Sequence, residues 1–183
     1  MQDRIHVAVV YGSVRDGRLC DRVGGWVLAQ LDARSDVSVS VLDPREQRAN
    51  GYAALKGQLE RADAFIVVTP EYNHGYPAAL KELLDAAYTE WHGKVAGFVS
   101  YGAHSGGIRA VEQLRQVFAE LHVATVRGGV ALVDVWDRFD AHGALTEPEA
   151  AQRAFGTMLT QLTWWARALR AGRRIAPYAE LAS

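Results

Sequence analysis

Cysteine is nearly absent: Cys20 is the only one in 183 residues. An internal disulfide is therefore excluded, as is a metal site built from several thiolates. Such usage agrees with a reducing compartment. Neither sign of charge dominates: 20 Lys and Arg face 21 Asp and Glu, for a formal net charge of -1. No global basic field exists to attract nucleic acid or an anionic membrane. No apolar run is long enough to cross a bilayer, and the apolar core of the opening MQDRIHVAVVYGS is too short for a signal peptide. A cytoplasmic protein is expected. Internal repeats, low-complexity tracts and linkers are missing too. Against these absences stand 49% apolar and 22% charged residues, a globular balance with enough chain for one domain. That domain is expected to span 1–183, with 171–183 as a C-terminal tail.

Short apolar runs alternate with helical periodicity five times. Strands are expected at Ile5 to Tyr11, Val37 to Leu42, Asp63 to Thr69, Lys94 to Tyr101 and Ala124 to Val133. Helices are expected at Leu19 to Leu31, Tyr52 to Ala62, Ala78 to Tyr88 and after Gly107, and from a Thr146 N-cap to about Ala171. Asp43-Pro44 closes the second strand in this reading. Alternation of this kind implies a parallel sheet covered on both faces. Its count and length fit a flavodoxin-like doubly wound α/β fold of five strands in the order 2-1-3-4-5. Ligands of such sheets sit beyond the carboxyl ends of the strands, where the order reverses. The loops after the first, third and fourth strands are therefore the candidate site.

The first loop, Gly12-Ser13-Val14-Arg15-Asp16-Gly17-Arg18, runs into a helix N-terminus. Exposed amides, a hydroxyl and two guanidinium groups suit an anion. The dinucleotide fingerprint G-x-G-x-x-G is absent. Gly12 and Gly17 keep the gap of a P-loop, but Arg18-Leu19 stands where Lys-Ser/Thr is required. A terminal monophosphate fits better than a triphosphate with magnesium. In the second loop, Pro70 and Pro77 stiffen the chain between them, and Tyr72, His74 and Tyr76 offer ring faces for a flat heterocycle. The third loop, Ser100 to Gly107, has three glycines that let backbone approach a ligand. It also comes within one residue of the nucleophile elbow G-x-S-x-G at Ala103-His104-Ser105-Gly106-Gly107. A hydrolase with Ser105 as nucleophile, an acid from Asp134, Asp137 or Asp140, and His142 as base is a remote alternative.

Taken together and in order, the three loops resemble the NADPH-dependent FMN reductase family, whose flavodoxin-like members include quinone, azo-dye and chromate reductases. The motif G-S-x-R is Gly12 to Arg15, P-E-Y-N is Pro70 to Asn73, and G-G-x-R-A is Gly106 to Ala110, followed by Leu114-Arg115-Gln116. The resemblance implies tight, non-covalent FMN. Ser13, Arg15 and Arg18, with backbone near Leu19 and Cys20, hold its phosphate in that reading. Pro70, Glu71, Tyr72 and Asn73 line the isoalloxazine and ribityl chain, largely through backbone N–H groups. Tyr101, Gly102 and Gly106 close the other edge.

The implied activity is ping-pong hydride transfer from NADPH or NADH through FMN to a small-molecule acceptor such as a quinone or free flavin. No side-chain acid or base and no metal is required. A homodimer or homotetramer is implied, and Tyr88, Trp91 and the pair Trp164-Trp165 are candidate sticky surfaces. Gly75 departs from a serine frequent in the family and is expected to loosen its loop. Cys20, at a helix start, is placed where a thiol pKa can fall, but a small packing residue is the preferred reading. The alternative from another class is an electron carrier or redox sensor without turnover. A carrier's acidic docking surface is not supplied by a net charge of -1.

Overall fold

The computed structural model describes residues 4–178. Five parallel strands, β1 (Ile5–Tyr11), β2 (Val37–Leu42), β3 (Ala64–Pro70), β4 (Lys94–Tyr101) and β5 (Val123–Leu132), form one sheet in the order β2-β1-β3-β4-β5. Six helices connect and cover it: α1 (Cys20–Asp32), α2 (Pro44–Ala49), α3 (Leu55–Arg61), α4 (Ala78–Asp85), α5 (Ile108–Glu120) and α6 (Glu149–Ile175). Side chains alternate across each strand, so one run feeds two cores. Ile5, Val7 and Val9 pack with Trp26 of α1 and Phe155 of α6, whereas Ala8 and Val10 pack with Leu59, Leu83 and Phe118 of α3, α4 and α5. Burial on both faces is why these strands read as unbroken apolar runs.

Register brings the strand ends level. Tyr11 pairs with Val68, Pro70 with Tyr101, and Tyr101 with Leu132. The order reverses between β1 and β3, so the loops after them part and leave a crevice.

Several boundaries differ from expectation, among them the start of α3 at Leu55 instead of Tyr52. Asp43-Pro44 opens a helix instead of merely ending β2: the Asp43 carboxylate accepts from Arg45 N–H at 2.9 Å and Pro44 sits in the first turn. The helix α4 stops at Asp85 because Trp91 folds back, and its indole donates to the Leu84 carbonyl at 3.2 Å. Thr146 does not cap α6. Its hydroxyl and N–H both reach the Arg138 carbonyl, and Pro148 takes the cap position. The helix runs past Ala171 to Ile175, so part of the expected tail is helical; residues 179–183 lie outside the described residues.

Candidate active site

The loops after β1, β3 and β4 converge on a cleft of about 360 Å³, closed on the β5 side by the turn Val135–Asp137. A cleft of that size lies within the range of small-molecule sites. Of the residues selected from sequence, Arg15, Arg18, Leu19, Pro70, Glu71, Tyr72, Tyr101 and Gly102 line it. Ser13, Cys20, Asn73 and Gly106 stand behind or beside it.

The two arginines of the first loop have separate jobs. Arg18 is buried and ion-paired with Asp43, and with Asp21 at 2.7 Å; it also donates to the Ser13 carbonyl. Burial opposes its charge, but the Asp43 and Asp21 hydrogen bonds outweigh that and hold its pKa above the ordinary value. Arg18 is thus a strut between the loop and the start of α2. Arg15 has no carboxylate partner among the described residues, and its guanidinium lies 3.6 Å from the centre of the Tyr72 ring. Cation–π contact of this kind parks a charge without neutralising it. Ser13 is fully buried, and its hydroxyl shares a 2.8 Å hydrogen bond with the Tyr72 phenol. Next to Arg15, the backbone amides of Gly17, Arg18, Leu19 and Cys20 donate to no acceptor among the described residues. They sit at the N-terminus of α1, where the helix favours negative charge. Cys20 is fully buried in the core, as expected of a small packing residue; burial pushes its thiol up instead of activating it, and its sulfur faces the Val68 carbonyl.

The second loop is a tight turn. Tyr72 and Gly75 exchange backbone hydrogen bonds of 2.8 and 3.0 Å around Asn73 and His74, both at positive φ. Glu71 N–H donates to the Tyr101 carbonyl at 3.2 Å. The N–H groups of Glu71 and Tyr72 are therefore already committed, against the expectation that they face a ligand; exposed Asn73 projects on the turn. Nor does Gly75 loosen the loop. A Cβ there would stand 3.0 Å from the Gln113 side-chain oxygen, and Gln113 donates to the His74 carbonyl at 3.1 Å.

Glu71 ties the second loop to the third. Its carboxylate accepts from the Ser105 hydroxyl at 2.7 Å, from Arg109 N–H at 3.2 Å and from the Arg109 guanidinium at 2.7 Å. Burial works against the charge, yet the Ser105 and Arg109 bonds hold the carboxyl below its ordinary range. The geometry does not favour the serine-nucleophile alternative: the Ser105 hydroxyl donates a hydrogen bond to the Glu71 carboxylate and not to a histidine, and Asp140 closes its own turn by accepting from the N–H groups of His142 and Ala144. Behind Ser105, Gly107 has φ +85° and an added Cβ would meet Tyr101 N at 2.8 Å, so the loop folds tightly under the cleft only without a side chain there. Burial raises the Tyr101 phenol well above its ordinary pKa, keeping a neutral hydroxyl on the cleft wall.

Asp43, Arg45, Arg109 and Trp136 were not singled out from sequence. Arg45 donates to the Val14 and Arg15 carbonyls and shapes the first loop. The signal for Asp43 was its N-cap pairing with Pro44. Trp136 lay inside a loop read as polar.

Among the described residues, no three His, Cys, Asp or Glu side chains are grouped to hold a metal, and no helix is long and apolar enough to cross a membrane. The NAD(P)H-dependent FMN reductase LOT6 of Saccharomyces cerevisiae is 33% identical over 153 residues, covering 69% of this chain and 79% of that protein. A Schizosaccharomyces pombe protein of the same description, C4B3.06c, is 35% identical over 147 residues, covering 69% and 72%. In three dimensions the chain is similar to FerB, a flavoenzyme NAD(P)H:(acceptor) oxidoreductase from Paracoccus denitrificans. The TM-score is 0.74 at 20% identity, with 89% of this chain and 98% of that one covered, a likeness of fold. The family model described as NADPH-dependent FMN reductase matches residues 5–137, from the first residue of β1 to the turn that closes the cleft. The chain therefore belongs to the NADPH-dependent FMN reductase family.

Proposed function

We propose that the protein binds FMN non-covalently in this cleft and uses NADPH or NADH to reduce a small acceptor, such as a quinone or free flavin. The observation that carries this reading is the set of unused donors at the start of α1. Four amides without acceptors and an arginine without a carboxylate are grouped at one end of a cleft walled by aromatic rings. Orphan donors at a helix N-terminus fit a terminal phosphate. The remaining length of the cleft, past Tyr72 to Tyr101 and Gly102, fits a flat ring system.

FMN held there would supply the hydride chemistry between NAD(P)H and the acceptor, in the ping-pong order proposed for the family. The chain's part is positional. Arg15, which rests on the Tyr72 ring without a carboxylate partner among the described residues, would be the cation for the phosphate. Ser13 holds the Tyr72 phenol in place from below, and Glu71, bonded to Ser105 and Arg109, keeps the second and third loops at fixed separation. With Glu71 fully hydrogen-bonded and the Tyr101 phenol un-ionised, neither group is poised to exchange protons near neutral pH.

A homodimer or homotetramer and a cytoplasmic location belong to the same proposal. Tyr88, 51% exposed beside a groove between α4 and α5, supports the first; the unpaired Cys20 thiol supports the second.

The test is the visible spectrum of protein reconstituted with FMN, before and after anaerobic NADPH or NADH, followed by a quinone. Bound flavin that bleaches and then recovers supports the oxidoreductase. Flavin that binds and stays oxidised with both nucleotides points to a carrier or sensor, and no binding overturns the cofactor assignment.

A further inference from the structure

We propose that Trp136 is the acceptor-selecting residue of this cleft, a platform on which flat aromatic acceptors stack in preference to small inorganic oxidants. The inference rests on the oxidoreductase reading above and names the substrate class of the same site. Trp136 lines the cleft while its side chain remains 61% exposed. Unlike the exposed indoles of α6, this one stands on the rim of a cleft, where its apolar face is open to a ligand.

Its position is held by the backbone. Asp134, at φ +47°, turns the chain out of β5, and its N–H donates to the Ala103 carbonyl at 3.5 Å. Val135 N–H donates to the Gly102 carbonyl at 3.2 Å, and the Val135 side chain is buried in the core shared by α1 and α6. The residue before Trp136 is thus anchored both to the third loop and to the core, and the indole is left on the rim. A non-glycine residue at positive φ costs energy that the surrounding contacts must offset. Here the strained turn serves to present the ring at the cleft mouth. Across the cleft, the Tyr72 ring already carries the Arg15 guanidinium, 3.6 Å from its centre. Trp136 carries no charge and its indole has no hydrogen-bond partner among the described residues, so it offers a ligand its ring face and one N–H donor.

The experiment compares FMN-loaded wild type with Trp136→Ala, Trp136→Phe and, as a control, Trp164→Ala, which removes an equally exposed indole on α6. The readouts are KM and kcat for a planar quinone and for ferricyanide, the FMN dissociation constant, and calorimetric binding of the quinone to the oxidised protein without NAD(P)H. The expected result is a quinone-to-ferricyanide KM ratio about threefold to tenfold higher in Trp136→Ala. Quinone binding weakens in parallel and kcat is retained, Trp136→Phe restores most of the loss, and Trp164→Ala matches wild type. An unchanged KM ratio and unchanged quinone binding overturn the inference. So does weaker FMN binding with both acceptors affected alike, because the indole then serves the cofactor. Wild type that turns over neither acceptor overturns the oxidoreductase reading and this one with it.

Discussion

At the amino end of the sheet, Asp63 accepts from the His6 N–H at 3.0 Å and is gripped by Arg170 and Arg173 at 3.1 and 3.2 Å. Lys94 is buried there, and its ammonium donates to the Leu59 and Glu60 carbonyls in the last turn of α3. Arg173 donates to the Gly93 carbonyl at 2.6 Å. At the carboxyl end, four amides at the start of α1 have no acceptor among the described residues, and Arg15 rests on an aromatic face. Parallel strands with right-handed crossovers deliver helix N-termini to one end and helix C-termini to the other. Carbonyl-rich ends are satisfied by the protein's own cations. Donor-rich ends remain open to an anion from outside. Charge alone does not mark the site; spare donors do.

Four substitutions test that contrast. The largest effect is expected from Arg18→Met, which leaves the Asp43 carboxylate buried without its main partner. Urea unfolding should show a loss of about 3 kcal/mol. Intact stability with a large loss of FMN affinity would instead make Arg18 a phosphate ligand and blur its distinction from Arg15. Next, Arg15→Ala should weaken FMN binding about tenfold, the loss of one charge-assisted bond, and leave the unfolding midpoint unmoved. An FMN dissociation constant equal to wild type's would remove Arg15 from the site.

Glu71→Gln should cost about 1 kcal/mol by weakening bonds to Ser105 and Arg109. Because the Glu71 pKa is lowered on folding, its contribution is present above the unfolded value of 4.5 and fades as pH falls through the lower folded value. The variant should accordingly lose part of the wild-type stability slope on the acid side; an unaltered slope would show that the staple is weak. The smallest effect at neutral pH is expected at the other end. Burial lowers the Lys94 pKa to about 8 from 10.5. The unfolded chain then binds more protons between those values, and stability rises with pH through that window. Lys94→Met should flatten the rise without changing FMN affinity, and a change in affinity would mean that the two ends are coupled.

Much of this molecule was legible in one chain of letters because its strands are short, apolar and separated by helices. Burial on both faces makes a parallel strand's composition independent of its neighbours, so all five were placed within a residue or so. Boundaries set by long-range contacts were not. The end of α4 depends on Trp91 reaching back to Leu84, and the start of α6 on Thr146 pairing with Arg138. Arg15 and Arg18 looked equivalent because local sequence cannot show that Asp43 arrives from the end of β2 to claim one of them. The bonds that hold Glu71 were hidden for the same reason: Ser105 and Arg109 approach it from 34 and 38 residues away. Trp136 escaped notice because a single aromatic among Asp and Arg carries no periodic signal.

By itself, the sequence determined the order of the strands, every helix except α2, the family, and which three loops meet; local hydrophobic periodicity and contiguous motifs carry that information. Only the tertiary structure decided which arginine is free, which amides are spent, and which indole faces the cleft. Those depend on partners distant in the chain, and a hydrogen-bond donor becomes available to a ligand only when no part of the fold has already taken it.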